Sequence, residues 1–119
     1  MAPRLATHLL GLCNVVAGAL VVCAPVILMP GLNGLDSPGA RLLGVSLGVV
    51  LVSVGLGAWL IPADGRRVYL WIFGVAVKVV ASAVWGAAAL TTGVAMLAAG
   101  AALDLAVALA IAGMLSNTR

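Results

Sequence analysis

Residues 68–115 read VYLWIFGVAVKVVASAVWGAAALTTGVAMLAAGAALDLAVALAIAGML, two apolar runs joined by a short Thr-Thr-Gly turn at 91–93. Each run contains one charged residue, Lys78 in the first and Asp104 in the second. Lys78 lies 13 residues before residue 91 and Asp104 lies 13 residues after it, so a chain reversal at the turn places both charges at the same depth. At about 1.5 Å per residue that depth is roughly 20 Å from the turn, near the centre of a hydrocarbon core about 30 Å thick. The stretch predicts a transmembrane helical hairpin with a charge pair in mid-membrane.

Two opposite charges at that depth are costly unless they meet. One isolated charge at the centre of a span costs about 2.5–3.5 kcal/mol, and the stem of Lys78 is too short to carry its ammonium to a headgroup. We therefore expect Lys78 and Asp104 to pair inside the bundle, with neutralisation of either group by desolvation as the alternative. Ser82, one turn after Lys78, is placed to accept a hydrogen bond from it. The pair fits a structural role that fixes helix register, a proton or ion relay, or a site for a polar headgroup.

Small residues recur on one face of three predicted helices. Residues three or four positions apart share a helix face, and small side chains allow two backbones to approach closely in lipid. In the third and fourth runs these residues lie on the same faces as Lys78 and Asp104. The positions predicted to pack against neighbouring helices are Gly44, Gly48, Gly55, Gly74, Gly86 and Gly100.

The composition of the chain is that of an integral membrane protein. Of its 119 residues, 65% are hydrophobic and 8% are charged, against about 25% charged residues in a soluble domain. The net charge of +3 is too small and too scattered to indicate nucleic-acid binding, and the 4% of aromatic residues speaks against a base-stacking surface. We predict an all-α membrane protein in which one domain, 1–119, forms an antiparallel bundle of four transmembrane helices, with spans at about 5–29, 41–61, 68–90 and 93–115.

The arginines are distributed unevenly between the two sides of a four-span chain. The side of the termini and the second loop has Arg4, Arg66, Arg67 and Arg119, and the opposite side has Arg41. Cytoplasmic loops carry an excess of Lys and Arg, so we predict that both termini are cytoplasmic. Arginines near the membrane surface are also expected to contact anionic lipid headgroups.

Several isolated polar or aromatic residues interrupt the apolar runs. Asn14 is predicted to form an interhelical hydrogen bond rather than to bind a ligand, and Ser53 is predicted to bond back to its own helix. His8, the only histidine, is expected at the water interface, although a haem or chlorophyll-type pigment needs only one such axial ligand. Trp85 follows Lys78 by seven residues and is expected on the same face, either as packing or as the wall of a cofactor site.

The segment 30–40 is the longest polar and turn-rich part of the chain. Its prolines and glycines mark turns, so we predict a rigid turn rather than a binding loop. Asp36 with Ser37 is expected to cap a short helix that leads to the second span. Pro25 is expected to bend or end the first helix.

Sequence patterns for common enzyme chemistry are absent. The chain has no Walker A motif, no G-x-G-x-x-G, no C-x-x-C and no H-E-x-x-H. A single histidine does not build a zinc site. Cys13 and Cys23 lie about 15 Å apart along one predicted helix, which is too far for a disulfide. We predict no metal site and no enzyme activity.

The run Ala24-Pro25, then Pro30 with a glycine- and proline-rich loop, then Arg41-Leu-Leu-Gly44, resembles the small bacterial four-helix membrane proteins of the DoxX and DoxX-like group. The resemblance covers about the first half of the chain. It implies four spans and a place in a bacterial cytoplasmic (inner) membrane. Some members of that group are linked to quinone-dependent sulfur oxidation or to redox complexes, and no catalytic residue carries over to this chain.

Three functions are consistent with these features. The first expectation is a small membrane subunit or accessory protein that packs by its glycine faces against a larger complex or as a homo-oligomer. The second is a transporter, channel or proton-relay component that uses Lys78 and Asp104. The third is a redox-complex accessory that binds a quinone, carotenoid or other pigment between helices, with Trp85 as part of its wall. No motif identifies a cofactor.

Overall fold

The structure, a computed structural model, describes residues 2–23 and 37–117. These residues form four helices, α1 (Ala2–Cys23), α2 (Pro38–Leu60), α3 (Arg66–Thr92) and α4 (Ala95–Ser116). Each helix is long and apolar enough to span a membrane, which confirms the prediction of an all-helical chain with four helices of this kind. Some predictions concern residues outside the described ranges. These are the end of the first span, the effect of the proline at position 25, most of the 30–40 turn and the capping role of Asp36.

The helix ends differ from the predicted spans by a few residues, for local reasons. α2 begins three residues early because the Ser37 hydroxyl accepts a hydrogen bond from the Ala40 N–H at 3.2 Å and Pro38 occupies the first turn. α3 runs on to Thr92 and ends at Gly93, whose φ of 70° is left-handed and whose N–H bonds to a carbonyl of the last turn. α4 therefore begins two residues later than predicted.

α3 contains a π-helical segment, Leu70–Ala76, that the sequence pattern did not indicate. In this segment the hydrogen bonds run from residue i to i−5, as in the bond from the Val77 N–H to the Ile72 carbonyl. Just before it, the Tyr69 hydroxyl donates to the Val54 carbonyl at 2.7 Å and ties α3 to α2.

The helices associate as two pairs, an N-terminal pair of α1 with α2 and a C-terminal pair of α3 with α4. In the N-terminal pair the backbones touch, because a Cβ atom added to Gly18 would lie 2.6 Å from the Gly48 carbonyl oxygen. One added to Gly55 would lie 2.8 Å from the Gly11 carbonyl oxygen. α1 also packs on α4 and on the π-helical part of α3, which joins the two pairs.

The pairs are packed together at one end of the bundle only. That end contains the start of α1, the end of α2, the start of α3 and the end of α4. Its buried core consists of Ala6, Leu10, Ala58, Leu70, Val107, Ile111 and Leu115. Towards the other end the two pairs separate, and a cavity opens between them.

Candidate functional site

The central cavity has a volume of about 490 Å³ and is lined by residues of all four helices. Most of its wall is aliphatic or aromatic, with Phe73 and Trp85 as the largest side chains. Three strongly polar side chains lie on the same wall, those of Asn14, Lys78 and Asp104. An apolar cavity with a few converging polar groups is the usual form of a small-molecule site in a helical bundle.

Lys78 and Asp104 form an ion pair on this wall. The Lys78 ammonium donates to Asp104 Oδ1 at 2.9 Å, and the two side chains are 9% and 18% exposed. The structure thus brings together the two charges that the sequence places at equal depth. In a poorly hydrated site, attraction between the partners offsets part of the large cost of desolvating each of them.

Ser82 does not take the role predicted for it. Its hydroxyl donates to the Ala101 carbonyl at 2.7 Å, so its hydrogen bond crosses to α4 rather than accepting from Lys78. The reason is the close approach of the two helices there, which brings a backbone acceptor within reach of a short side chain. The ion pair and this bond are two successive polar links between α3 and α4.

Asn14 is the third polar residue of the cavity wall, and its residue surface is only 3% exposed. Its Oδ1 atom has no hydrogen-bond partner among the described residues, so the predicted interhelical bond is not made there. A buried acceptor left unpaired costs about 1–3 kcal/mol. Asn14 Oδ1 is therefore an unused acceptor beside the ion pair, on the wall of the same cavity.

The three polar residues lie where the cavity meets the core. Along α1, the core residue Leu10 is followed by Asn14 and then by the cavity residue Leu20. α3 has the same order, from the core residue Leu70 to Lys78 and then to the cavity residue Trp85. α4 has the reverse order, from the cavity residue Met96 to Asp104 and then to the core residue Val107. The cavity therefore has a polar inner end, and its apolar part extends towards the end of the bundle where α3 stops and α4 starts.

The predicted packing glycines fall into two groups. Gly48, Gly55 and Gly74 make close contacts with other helices of this chain. A Cβ added to Gly86 would only reach ordinary contact with Ala101 at 3.9 Å. Cβ atoms added to Gly44 and Gly100 would have no described heavy atom within 4 Å, and Gly100 faces the cavity.

The remaining predicted residues lie at different places. Ser53 donates to the Val49 carbonyl of its own helix at 2.7 Å and is exposed. Trp85 lines the central cavity. His8 is exposed and lines a separate pocket at the packed end of the bundle, away from the ion pair. The structure thus gathers Asn14 and Trp85 around the charge pair and leaves out His8 and Ser53.

Sequence reasoning missed two features of the site. It did not place Asn14 with the charge pair, although a lone amide in an apolar run was a signal of some special role. It also did not foresee the pocket around His8, whose arginines were assigned only to topology and lipid contact. No group of three or more metal-ligating side chains occurs in residues 2–23 and 37–117.

Comparison of this chain with protein-family models, with curated proteins and with solved structures found no match. The resemblance of residues 24–44 to the DoxX-like group therefore stays a prediction. What the site does has to be argued from its own geometry.

Proposed function

We propose that this chain is a non-enzymatic integral membrane protein that binds one apolar small molecule with a polar oxygen group in the central cavity. The observation that carries this proposal is the polar inner end of an otherwise apolar cavity, with an ion pair and an unpaired amide oxygen. Its volume of about 490 Å³ is in the range of ligand sites. A transmembrane helix about 10 Å wide and 30 Å long has a volume of roughly 2,400 Å³, so a partner helix is too large to occupy it.

The ligand would be held by hydrogen bonds at its oxygen and by apolar contacts elsewhere. The Lys78 ammonium has three protons, and Asp104 accepts one of them. A carbonyl or hydroxyl oxygen of the ligand accepts another. A ligand hydroxyl also has Asn14 Oδ1 as an acceptor once the amide turns towards the cavity, because this oxygen is buried in the structure. Since the ion pair is neutral as a unit, an uncharged ligand of the quinone or isoprenoid-alcohol type suits it.

The other expectations have less support. A relay usually needs several titratable groups across the membrane, and Lys78 and Asp104 are the only charged residues inside the apolar parts of the four spans. The subunit hypothesis relied on six glycines, and three of them pack against other helices of this chain. A pigment held by a histidine does not suit the central cavity, because the only histidine lines the other pocket.

We further propose an antiparallel bundle in a bacterial inner membrane with both termini in the cytoplasm. The order of the contacts supports the antiparallel arrangement, since Gly11 meets Gly55 while Gly18 meets Gly48. The arginine distribution supports the orientation.

An alkaline phosphatase fused after Arg119 is expected to be inactive in a bacterial host, because that enzyme folds only in the periplasm. Strong activity of this fusion, against a fusion after Arg41 as the reference, would reverse the orientation.

Filling the cavity is expected to abolish ligand binding. Gly100→Leu adds a side chain into the cavity without a clash, because no described heavy atom lies within 4 Å of the new Cβ. We expect native mass spectrometry of wild-type protein in mild detergent to show one small molecule per chain, and Gly100→Leu to lack it. Gly113→Leu is the matched control on the same helix, because it is equally unobstructed and does not line the cavity.

Binding of a defined compound is measured by fluorescence. In a Trp59→Phe/Trp71→Phe background, Trp85 is the only tryptophan and reports on the cavity wall. Decylubiquinone is expected to quench it saturably in this background and in Gly113→Leu, and at least about tenfold more weakly in Gly100→Leu. Quenching that does not saturate, or that is equal in both glycine variants, would contradict a site in the cavity.

A further inference from the structure

A second cavity of about 580 Å³ lies at the packed end of the bundle. It is lined by Arg4, Thr7 and His8 from α1, Trp59 from the end of α2 and Arg66 from the start of α3. It is separate from the central cavity, because along α1 the buried Leu10 lies between Thr7 in this pocket and Asn14 in the other one.

The pocket is positively charged and has no internal counter-charge among residues 2–23 and 37–117. Arginine is always protonated in proteins, and no described carboxylate is within ion-pair distance of Arg4 or Arg66. Asp64, two residues before Arg66, is not on the pocket wall, and its Oδ1 accepts from the Gly65 N–H at 3.1 Å. The two guanidinium groups therefore face a shared space without an anion of the described chain.

Arg66 gives a second and independent indication of a ligand. Its Nε atom is buried and has no hydrogen-bond partner among the described residues. An unpaired buried donor on a charged group is costly, and the groups that satisfy a guanidinium best are carboxylates and phosphates with two adjacent oxygens. The unpaired Nε therefore favours an acceptor with that geometry.

The position of the pocket is also typical of the headgroup level of a membrane. Gly11 has no side chain, which lets the indole of Trp59 lie against α1, where an added Cβ would collide with the ring. Trp59 is partly exposed, as is usual for tryptophans at the level of lipid headgroups. The pocket lies at the polar ends of three apolar helices, where phosphate groups of lipids are found.

We propose that the pocket formed by Arg4, Thr7, His8, Trp59 and Arg66 binds a phosphate group. Arg4 and Arg66 are the residues that neutralise the phosphate charge. His8 and Trp59 are further hydrogen-bond donors on the pocket wall. A lipid headgroup and a soluble phosphate compound have this chemistry in common. This proposal does not depend on the ligand of the central cavity.

The test compares two probes on wild-type protein and on the double variant Arg4→Gln/Arg66→Gln. Phosphatidylglycerol binding is measured by native mass spectrometry in a non-ionic detergent, and inorganic phosphate binding by thermal shift against chloride at equal ionic strength. Arg41→Gln is the control for loss of an arginine, because it removes one positive charge from an exposed position at the other end of α2. Far-UV circular dichroism and equilibrium unfolding show that each variant is folded.

We expect the double variant to lose at least about tenfold in affinity for whichever probe binds, and Arg41→Gln to stay within about twofold. Arginine-dependent binding of phosphatidylglycerol alone identifies a lipid headgroup as the source. Arginine-dependent stabilisation by inorganic phosphate identifies a soluble phosphate compound. The proposal is overturned if neither probe binds wild-type protein, or if the double variant and Arg41→Gln lose the same affinity.

Discussion

Replacing Lys78 by Met alone is expected to lower the free energy of unfolding by about 3–5 kcal/mol, because it leaves the Asp104 carboxylate buried without its partner. Removing both charges in Lys78→Met/Asp104→Leu is expected to restore most of the stability, since no unpaired charge remains in the bundle. The exchanged pair Lys78→Asp/Asp104→Lys is expected to recover part of it. Equilibrium unfolding in mixed micelles, followed by circular dichroism, measures all three variants.

Asp64→Asn is the control for loss of one charged group at an exposed position. Asp64 is exposed in the turn between α2 and α3, so its replacement is expected to change stability by less than about 0.5 kcal/mol. If Lys78→Met were as stable as Asp64→Asn, or if both two-residue variants were no more stable than Lys78→Met, the ion pair would not be a stabilising contact.

The uncharged variant Lys78→Met/Asp104→Leu is also expected to lose decylubiquinone binding while it stays folded. This result separates the contribution of the ion pair to stability from its role in ligand binding.

Replacing Gly55 by Leu is expected to disrupt the N-terminal helix pair at a cost of about 3 kcal/mol, near the top of the range for overpacking. The new Cβ would lie 2.8 Å from the Gly11 carbonyl oxygen and 3.0 Å from the Val15 backbone nitrogen. These are backbone atoms of α1, so a rotation of a side chain does not relieve the clash. The helices have to move apart, and the same unfolding measurement reports the loss.

Gly44→Leu is the matched control for that variant. It makes the same change on the same helix, at a position where the described chain has no heavy atom within 4 Å of the new Cβ. Its stability is expected to stay within about 0.5 kcal/mol of wild type. Equal losses in the two variants would mean that the cost comes from leucine in the helix and not from contact between the backbones.

Much of the fold follows from local properties of the chain. The four spans could be predicted because apolar runs of about 20 residues are needed to cross a membrane and because glycine, proline and serine mark the ends. The exact ends could not, since the hydrogen bond to the Ser37 hydroxyl and the left-handed backbone of Gly93 shift helix boundaries by two or three residues. The π-helical part of α3 was also unforeseen, because nothing in its composition distinguishes it from an α-helix.

The site could be predicted only in part. The equal spacing of Lys78 and Asp104 from the turn predicted their common depth, and the cost of a lone charge in lipid predicted that they pair. That Asn14 lies on the same cavity required knowledge of which helices are neighbours. Periodicity does not contain that information, because in lipid an apolar face can contact acyl chains or protein with similar ease.

The sequence by itself therefore determined the class of protein, the number of spans and the depth of the two charges, because hydropathy and helical rise are properties of neighbouring residues. The tertiary structure decided where the helix pairs touch and where they separate. Contact between backbones at Gly11, Gly18, Gly48 and Gly55 fixes the N-terminal pair, and the core at one end holds it against the C-terminal pair. The central cavity and the pocket that contains Arg4 and Arg66 arise from that arrangement, since both are spaces between helices rather than features of any one helix.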